Sequence, residues 1–402
     1  MAILVIGAGQ AALTTAEKYR ALGGVDEVVI LGDETFIPYQ RPPLSKAYLA
    51  GDMSLERLYL RPQEWFEKNR ISIRSGCRVE AIDRSEKTVR LNGGECLSYD
   101  KLVLATGASA RPLPENLSKQ AAGIYTLRSL GDINAMRDEF KPGRRLLVIG
   151  GGYIGLEAAA MARKLGLDAT VVEAAPRILG RVASETTANF IREMHLANGV
   201  KLYEGTGLSS LEISSARVAA AVLSNGARIE VDFVIAGIGI LANTELAEAA
   251  GLECDEGILV NGECRTDDPD IYACGDCTRF EYEGERIRLE SVGNAIDQGE
   301  VVAANLAGQP TKYTPKPWFW SDQYDMTLQI AGLNKGFDDT VVRPGVREGT
   351  RSVWYYRADQ LIAVDSLGDP RAYMIAKRIL DAGKNVPKNI ASDPDTNLKD
   401  WL

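Results

Sequence analysis

The chain carries one short device twice. Near its start the apolar run Ile3–Ile6 leads into Gly7-Ala8-Gly9-Gln10-Ala11-Ala12 and then into a helical pattern. Far downstream Leu146–Ile149 leads into Gly150-Gly151-Gly152-Tyr153-Ile154-Gly155, again ahead of a helical pattern. Strand, glycine turn and helix form the setting in which G-x-G-x-x-G/A holds a pyrophosphate. The first glycine permits the turn, the second lets the backbone approach the phosphates, and the third position keeps helix and sheet close. Gly7, Gly9 and Ala12 fill those places in the first copy, and Gly150, Gly152 and Gly155 in the second. Each copy is followed by a second apolar strand that ends at an acid, Asp33 and Glu173 respectively. Both acids stand near the usual spacing for a ribose-binding carboxylate. One such pattern is weak, but two complete ones point to an α/β chain with two dinucleotide-binding domains.

Two sites imply two dinucleotides. The economical pair is a flavin adenine dinucleotide held permanently and a nicotinamide that comes and goes. Glu173 bears on which nicotinamide. Its carboxylate suits the ribose hydroxyls of NAD and repels the extra phosphate of NADP, and the nearest cations are Arg177 and Arg181. NADH is therefore the expected donor.

Composition removes other classes. No apolar run reaches the roughly 18 residues of a membrane span. The opening "MAILVIGAG" is too short for a signal peptide and lacks a basic flank, so a cytoplasmic protein is expected. A net charge of −9 argues against nucleic acid as a partner. The single histidine, His195, rules out a multi-histidine metal site, and no metal is expected. The six cysteines do not imply disulfides in a reducing compartment. Two of them form a C-x-x-C in "YACGDCTRF", Cys274 and Cys277, either a dithiol that passes electrons or two small residues packing a loop.

The motifs "GAGQAA", "YQRPPLSKAYLAG", "YDKLVLATGA", "VIGGGYIGLEAAA", "VIAGIGI", "IYACGDCTRF", "ESVGNAIDQG" and "WFWSDQYD" run almost end to end. In them the chain resembles the NADH-dependent ferredoxin reductases of oxygenase systems, within the FAD-dependent pyridine nucleotide-disulfide oxidoreductase superfamily. The resemblance implies a glutathione reductase-like α/β fold: two Rossmann-like domains plus a C-terminal α+β domain. The expected division is a discontinuous FAD domain at 1–108 and 237–316, an NAD domain at 109–236, and a C-terminal domain at 317–402. Pro112 and Pro114 would hold the crossing linker "ASARPLPENL" extended. Alternating runs such as "RSVWYYRADQLIAVDSLG" suggest that the C-terminal domain holds an antiparallel sheet.

The same resemblance assigns roles. It implies that FAD meets Gly7, Gly9, Ala11, Ala12, Asp33, Lys46, Val79, Arg128, Asp276, Val292 and Trp320. NAD would meet Gly150, Gly152, Ile154, Gly155, Glu157, Glu173, Arg181 and Gly237. Lys46 and Glu157 are the expected catalytic pair, with the lysine beside the reactive edge of the isoalloxazine. Asp276 would lie against the flavin's ribityl and phosphate end, which commits its loop to the cofactor and makes Cys274 and Cys277 bystanders. Related disulfide-using flavoenzymes carry their cysteine pair elsewhere, and neither "ALTTAEKYRAL" nor residues 109–236 contain a cysteine. Trp318, Phe319 and Trp320 either wall the flavin or fill a core. Gly293 stands where the pattern has a proline, and Gln40 and Arg41 precede the double proline Pro42-Pro43.

The implied function is hydride uptake from NADH and single-electron delivery to a 2Fe-2S ferredoxin, by a chain expected to be a monomer. Acidic ferredoxins would need a basic patch, with Arg286, Arg288, Lys312 and Lys316 as candidates. A rubredoxin reductase is the alternative. A dithiol or disulfide reductase and an NADH sensor of the apoptosis-inducing-factor type are weaker ones.

Overall fold

The computed structural model describes residues 1–118 and 121–402. The chain forms two compact units. The first takes in 1–40, 53–109 and 240–315, and the second 41–52, 110–239 and 316–402.

The first unit is built on a parallel five-stranded sheet. Its order is Ile271–Ala273, Lys101–Leu104, Ala2–Ile6, Glu27–Leu31, Ile71–Arg74. These strands are apolar on both faces because both faces are covered, as parallel sheets require. Ile3, Val5, Val28, Ile30 and Val103 face one core layer, with the helix Gln10–Ala21. Leu4, Ile6, Val29, Leu31, Leu102 and Leu104 face another, with the antiparallel strands Val79–Asp83 and Thr88–Leu91. The helix Val292–Leu306 lies so close to Gln10–Ala21 that a Cβ on Gly299 would come 2.9 Å from the Ala11 carbonyl oxygen. Asn243 fastens the chain just beyond the strand Lys101–Leu104: its amide donates to the Thr106 carbonyl at 2.8 Å and its side-chain oxygen accepts from Ser109 at 2.7 Å.

The second unit repeats the arrangement. Its parallel sheet runs Lys201–Tyr203, Asp168–Val172, Arg145–Ile149, Phe233–Ala236, Ile124–Thr126. The helix Tyr153–Lys164 follows the central strand, and a three-stranded antiparallel sheet spans Leu208–Glu230. In both sheets the strand after the glycine turn lies to one side of the strand before it, and a later strand, Lys101–Leu104 or Phe233–Ala236, lies to the other. The sheet direction therefore switches beside the glycines, where α/β folds bind their ligands.

The same unit contains a five-stranded antiparallel sheet within 318–367. One face packs on the helix Glu185–Ala197. The other packs on the helix Pro370–Asp381, whose N-cap Asp369 accepts from Ala372 N–H at 3.1 Å and which starts on a proline. Segment 41–52 belongs here through Arg41, which donates to the Arg128 carbonyl at 2.8 Å, and through Ser45 and Lys46, which reach Glu157. Among the described residues no helix is long and apolar enough to cross a membrane.

Candidate active site

In the first unit, Gly7 turns with φ +109°, and a Cβ there would lie 2.1 Å from the Ala105 carbonyl oxygen. Only glycine fits. Gly9 then begins the helix without any side-chain cap, and nothing lies within 4 Å of the place its Cβ would take. The first-turn N–H groups thus point into open space, and the helix dipole places positive charge there. Ala11 and Ala12 are buried against the sheet and against Gly275, whose Cβ would be 3.1 Å from that of Ala11. Asp33 stands exposed beyond the second strand. Its neighbour Glu34 accepts from Tyr39 at 2.6 Å.

The loop that carries Asp276 is fixed from behind. Buried Gln298 accepts from Gly275 N–H at 2.8 Å and from the Thr278 hydroxyl at 2.9 Å. The Gln298 amide nitrogen has no hydrogen-bond partner although it is buried, an orphaned donor in this cradle. Val292 opens the last helix of the unit, but Ser291 already caps Asn294 N–H at 3.1 Å, which leaves the amides of Val292 and Gly293 as that terminus's available donors. Val79 starts a strand and its side chain packs in the core. Arg128 lies in the second unit, just ahead of the helix capped by Ser129.

The C-x-x-C pair lies outside the strands, one cysteine before and one at the end of the turn at 275–277. Cys274 packs in the layer with the first helix, 3.7 Å from the Thr15 hydroxyl. Cys277 packs in the layer on the opposite face, with its thiol directed to the Leu104 carbonyl at 3.6 Å. Both are free, fully buried thiols. Burial pushes the Cys274 thiol up to about 12 and raises that of Cys277.

In the second unit the geometry recurs more tightly. Gly150 has φ +106°, and its Cβ would meet the Gly237 carbonyl oxygen at 2.3 Å. A Cβ on Gly155 would meet the Gly150 carbonyl oxygen at 2.2 Å. Gly150, Gly155 and Gly237 therefore converge at the ends of two adjacent strands. Gly152 begins its helix uncapped with open space around it, and Ile154 on the first turn is exposed. Glu173 accepts from the N–H groups of Gly151 and Ala175, each at 2.7 Å, which aims its carboxylate along the glycine turn. Arg181 is exposed, with a guanidinium nitrogen 3.9 Å from where a Cβ on Gly239 would stand. Arg177 is turned away to the Ala183 carbonyl at 2.8 Å. Open, uncapped helix starts fit dinucleotides in both units, and in the second a backbone-anchored carboxylate stands beside the glycine turn.

Lys46 and Glu157 meet at 2.6 Å, 18% and 3% exposed. The lysine ammonium also reaches the Pro42 carbonyl at 3.2 Å and the Ser45 hydroxyl at 3.4 Å, so three acceptors match its three donors. The Glu157 carboxylate accepts from Ser45 at 2.6 Å and from Ser321 at 2.8 Å. Both Ser45 and Ser321 lie inside the motifs "RPPLSK" and "WFWSDQYD". Strand alternation on 318–323 was the available signal for Ser321, since it puts Phe319, Ser321 and Gln323 on one face and Trp318 and Trp320 on the other. Phe319 packs on Tyr153 with ring centroids 4.8 Å apart. Trp318 and Trp320 stack on each other at 5.5 Å and stay partly exposed. Of the basic candidates, Arg288 is bound to Glu290 and the Glu256 carbonyl, whereas Arg286, Lys312 and Lys316 are exposed. Lys316 lies in the second unit and the other three in the first.

Two family models match the chain, with boundaries that differ from those of the two units. Residues 1–299 match the family model described as pyridine nucleotide-disulphide oxidoreductase, and residues 318–402 match the one described as reductase C-terminal. The chain is 41% identical over 401 residues to a rhodocoxin reductase of Rhodococcus erythropolis, covering 99% of this chain and 94% of that one. It is 38% identical over 373 residues to a rubredoxin-NAD(+) reductase of Pseudomonas putida, covering 92% and 97%. Its structure is similar to the solved covalent putidaredoxin reductase–putidaredoxin complex, with a TM-score of 0.96 at 39% identity over 100% of this chain and 97% of that one. Members of this family use FAD and NAD(H).

Proposed function

Because the chain belongs to the pyridine nucleotide-disulphide oxidoreductase family, we propose that it is an FAD-dependent reductase that takes hydride from NADH and delivers electrons singly to a 2Fe-2S ferredoxin of an oxygenase system. The observation that carries this reading is the pair of uncapped glycine-cornered helix starts, one in each unit, joined to a C-x-x-C whose thiols face opposite layers. With the dithiol out of play, no thiol relay stands between the dinucleotide sites and an outside acceptor. Bound FAD supplies the conversion between a two-electron donor and a one-electron acceptor.

The chain's own residues have definite tasks in this reading. Residues 1–108 and 237–316 hold FAD, 109–236 hold NAD, and 317–402 form the C-terminal domain. Gly7, Gly9, Ala11, Ala12, Asp33, Val79, Arg128, Asp276, Val292 and Trp320 serve the flavin. Gly150, Gly152, Ile154, Gly155, Glu173, Arg181 and Gly237 serve the nicotinamide. Lys46 keeps a fixed positive charge, because Glu157 and the Pro42 carbonyl hold its ammonium in one place. The pair is buried as a unit, and removing either member would leave a charge without compensation. The protein acts in the cytoplasm as a monomer, and the acceptor docks against Arg286, Lys312 and Lys316.

Rhodocoxin and putidaredoxin reductases as relatives support a ferredoxin acceptor, and a rubredoxin reductase among them keeps the alternative in view. The test is steady-state turnover of the FAD-loaded protein with a purified 2Fe-2S ferredoxin or a rubredoxin, each with NADH and NADPH. Faster ferredoxin reduction and a strong NADH preference are expected. Turnover with rubredoxin alone moves the assignment to that acceptor, and equal use of NADPH removes the role given to Glu173.

A further inference from the structure

The lone histidine lies inside the molecule and is joined to the Lys46–Glu157 pair. His195 is on the helix Glu185–Ala197 and is fully buried. Its Nε2 lies 2.7 Å from the side-chain oxygen of Gln323. The Gln323 amide nitrogen donates to the Ser321 hydroxyl at 3.1 Å, and Ser321 donates to Glu157 Oε1 at 2.8 Å. At the far end the Tyr324 hydroxyl lies 3.2 Å from His195 Nδ1. Ser321, Gln323, His195 and Glu157 are all buried, so water does not compete for these bonds.

The direction of every bond follows from one end. Glu157 is ion-paired with Lys46 and can only accept. Ser321 must then donate to it, and the remaining Ser321 lone pair must accept from Gln323. The amide of Gln323 is thereby oriented, and its oxygen faces the histidine. His195 Nε2 must carry the hydrogen. Nδ1 is left bare and accepts from Tyr324. Burial lowers the basicity of His195, which agrees with a neutral ring.

We propose that His195 is a positioning residue for the reductase: held as the neutral Nε2–H tautomer, it fixes Glu157, and through it Lys46, by way of Gln323 and Ser321. The inference rests on the reductase reading for the use of the Lys46–Glu157 pair, but the hydrogen-bond order stands on this geometry alone. A residue that merely filled space on the helix would have no tautomer set by a carboxylate three side chains away.

Because the chain has one histidine, a 15N-histidine-labelled sample of the FAD-loaded protein gives a single imidazole pattern in long-range 1H–15N correlation. The wild type should show a pyrrole-like Nε2 and a pyridine-like Nδ1. In Glu157→Gln, or in Ser321→Ala, the fixed order is lost and the pattern should move towards the other tautomer or a mixture. A wild-type Nδ1–H or doubly protonated ring overturns the proposal, as does an unchanged pattern in both variants.

The kinetic arm uses His195→Leu and His195→Gln, with stopped-flow reduction of the bound flavin by NADH. The leucine variant should be slower by about tenfold with flavin content retained, and the glutamine, which can still donate to Gln323, should recover most of that. Equal rates in wild type and leucine variant count against it. If the leucine variant does not fold, the labelled Glu157→Gln and Ser321→Ala samples decide. A wild type that reduces no ferredoxin defeats the reductase reading and leaves the tautomer result readable on its own.

Discussion

Two residues separate Cys274 from Cys277, and a sheet separates their side chains. Cys274 follows the strand Ile271–Ala273 and Cys277 closes the turn after it, so the spacing that marks a dithiol here distributes two thiols between two cores. Their neutral form is favoured up to high pH, because burial raises both thiols. At pH 8 a thiolate-selective alkylating agent should therefore modify exposed Cys96 and spare both of these in the folded protein. The sign is checkable by raising the pH. Unfolding lets both thiols ionise at their ordinary value, so stability should be unaffected below about pH 8.5 and fall above it. Replacing both by alanine should cost about 1–2 kcal/mol in denaturant unfolding, since small buried groups are removed. NADH-to-ferredoxin turnover should stay within a few fold, and a loss of orders of magnitude at full flavin content would restore the dithiol. At this scale the sequence was legible where backbone geometry dictates residue type. Gly7, Gly150 and Gly155 all lie at corners where a Cβ has no room. The supports of Glu157 were not legible. Ser321, Gln323 and His195 come from distant stretches, and nothing in a lone serine or glutamine says which carboxylate it will meet.

The two glycine-cornered helices separate roles that are usually merged. At Gly155 a Cβ would stand 2.2 Å from the Gly150 carbonyl oxygen, so the fault of a side chain there is within the protein. At Gly9 the same Cβ meets nothing within 4 Å, so its fault would lie only with a ligand. Gly155→Ala should lower stability by about 1–3 kcal/mol and raise the KM for NADH while flavin stays bound. Gly9→Ala should leave the melting temperature of flavin-free protein nearly unchanged and weaken flavin retention. Calorimetry of the flavin-free proteins, set beside flavin occupancy and NADH titrations, checks both. Equal destabilisation by the two changes would mean that the Gly9 turn is packed rather than open. The parallel strands could be read from the sequence because they are short, apolar throughout and next to glycine turns. The grouping of Arg41–Asp52 with the second unit was less legible, since it depends on Ser45 and Lys46 reaching Glu157 across more than a hundred residues of chain.

On the scale of the whole molecule, charge governs encounter. The chain carries −9, and an acidic partner must find a local cationic surface to approach quickly. Arg288 is already held by Glu290, which leaves Arg286 and Lys312 as the exposed cations of the first unit's candidate set. Arg286→Glu with Lys312→Glu should slow ferredoxin reduction at low salt by about tenfold, mostly through association, and the difference should shrink as salt rises past 0.1 M. Reduction of a small neutral dye should not change. Equal ferredoxin rates at low salt would put the docking face elsewhere. The interleaved path of the chain has a separate consequence, for the order in which the molecule can be made. The second parallel sheet has all its strands once Ala236 has left the ribosome, whereas the first lacks an edge until Ile271–Ala273 emerges. The nascent chain thus holds a complete second sheet while its first sheet still waits for a strand, and a chain stalled between those points would have its second glycine-cornered sheet finished before its first.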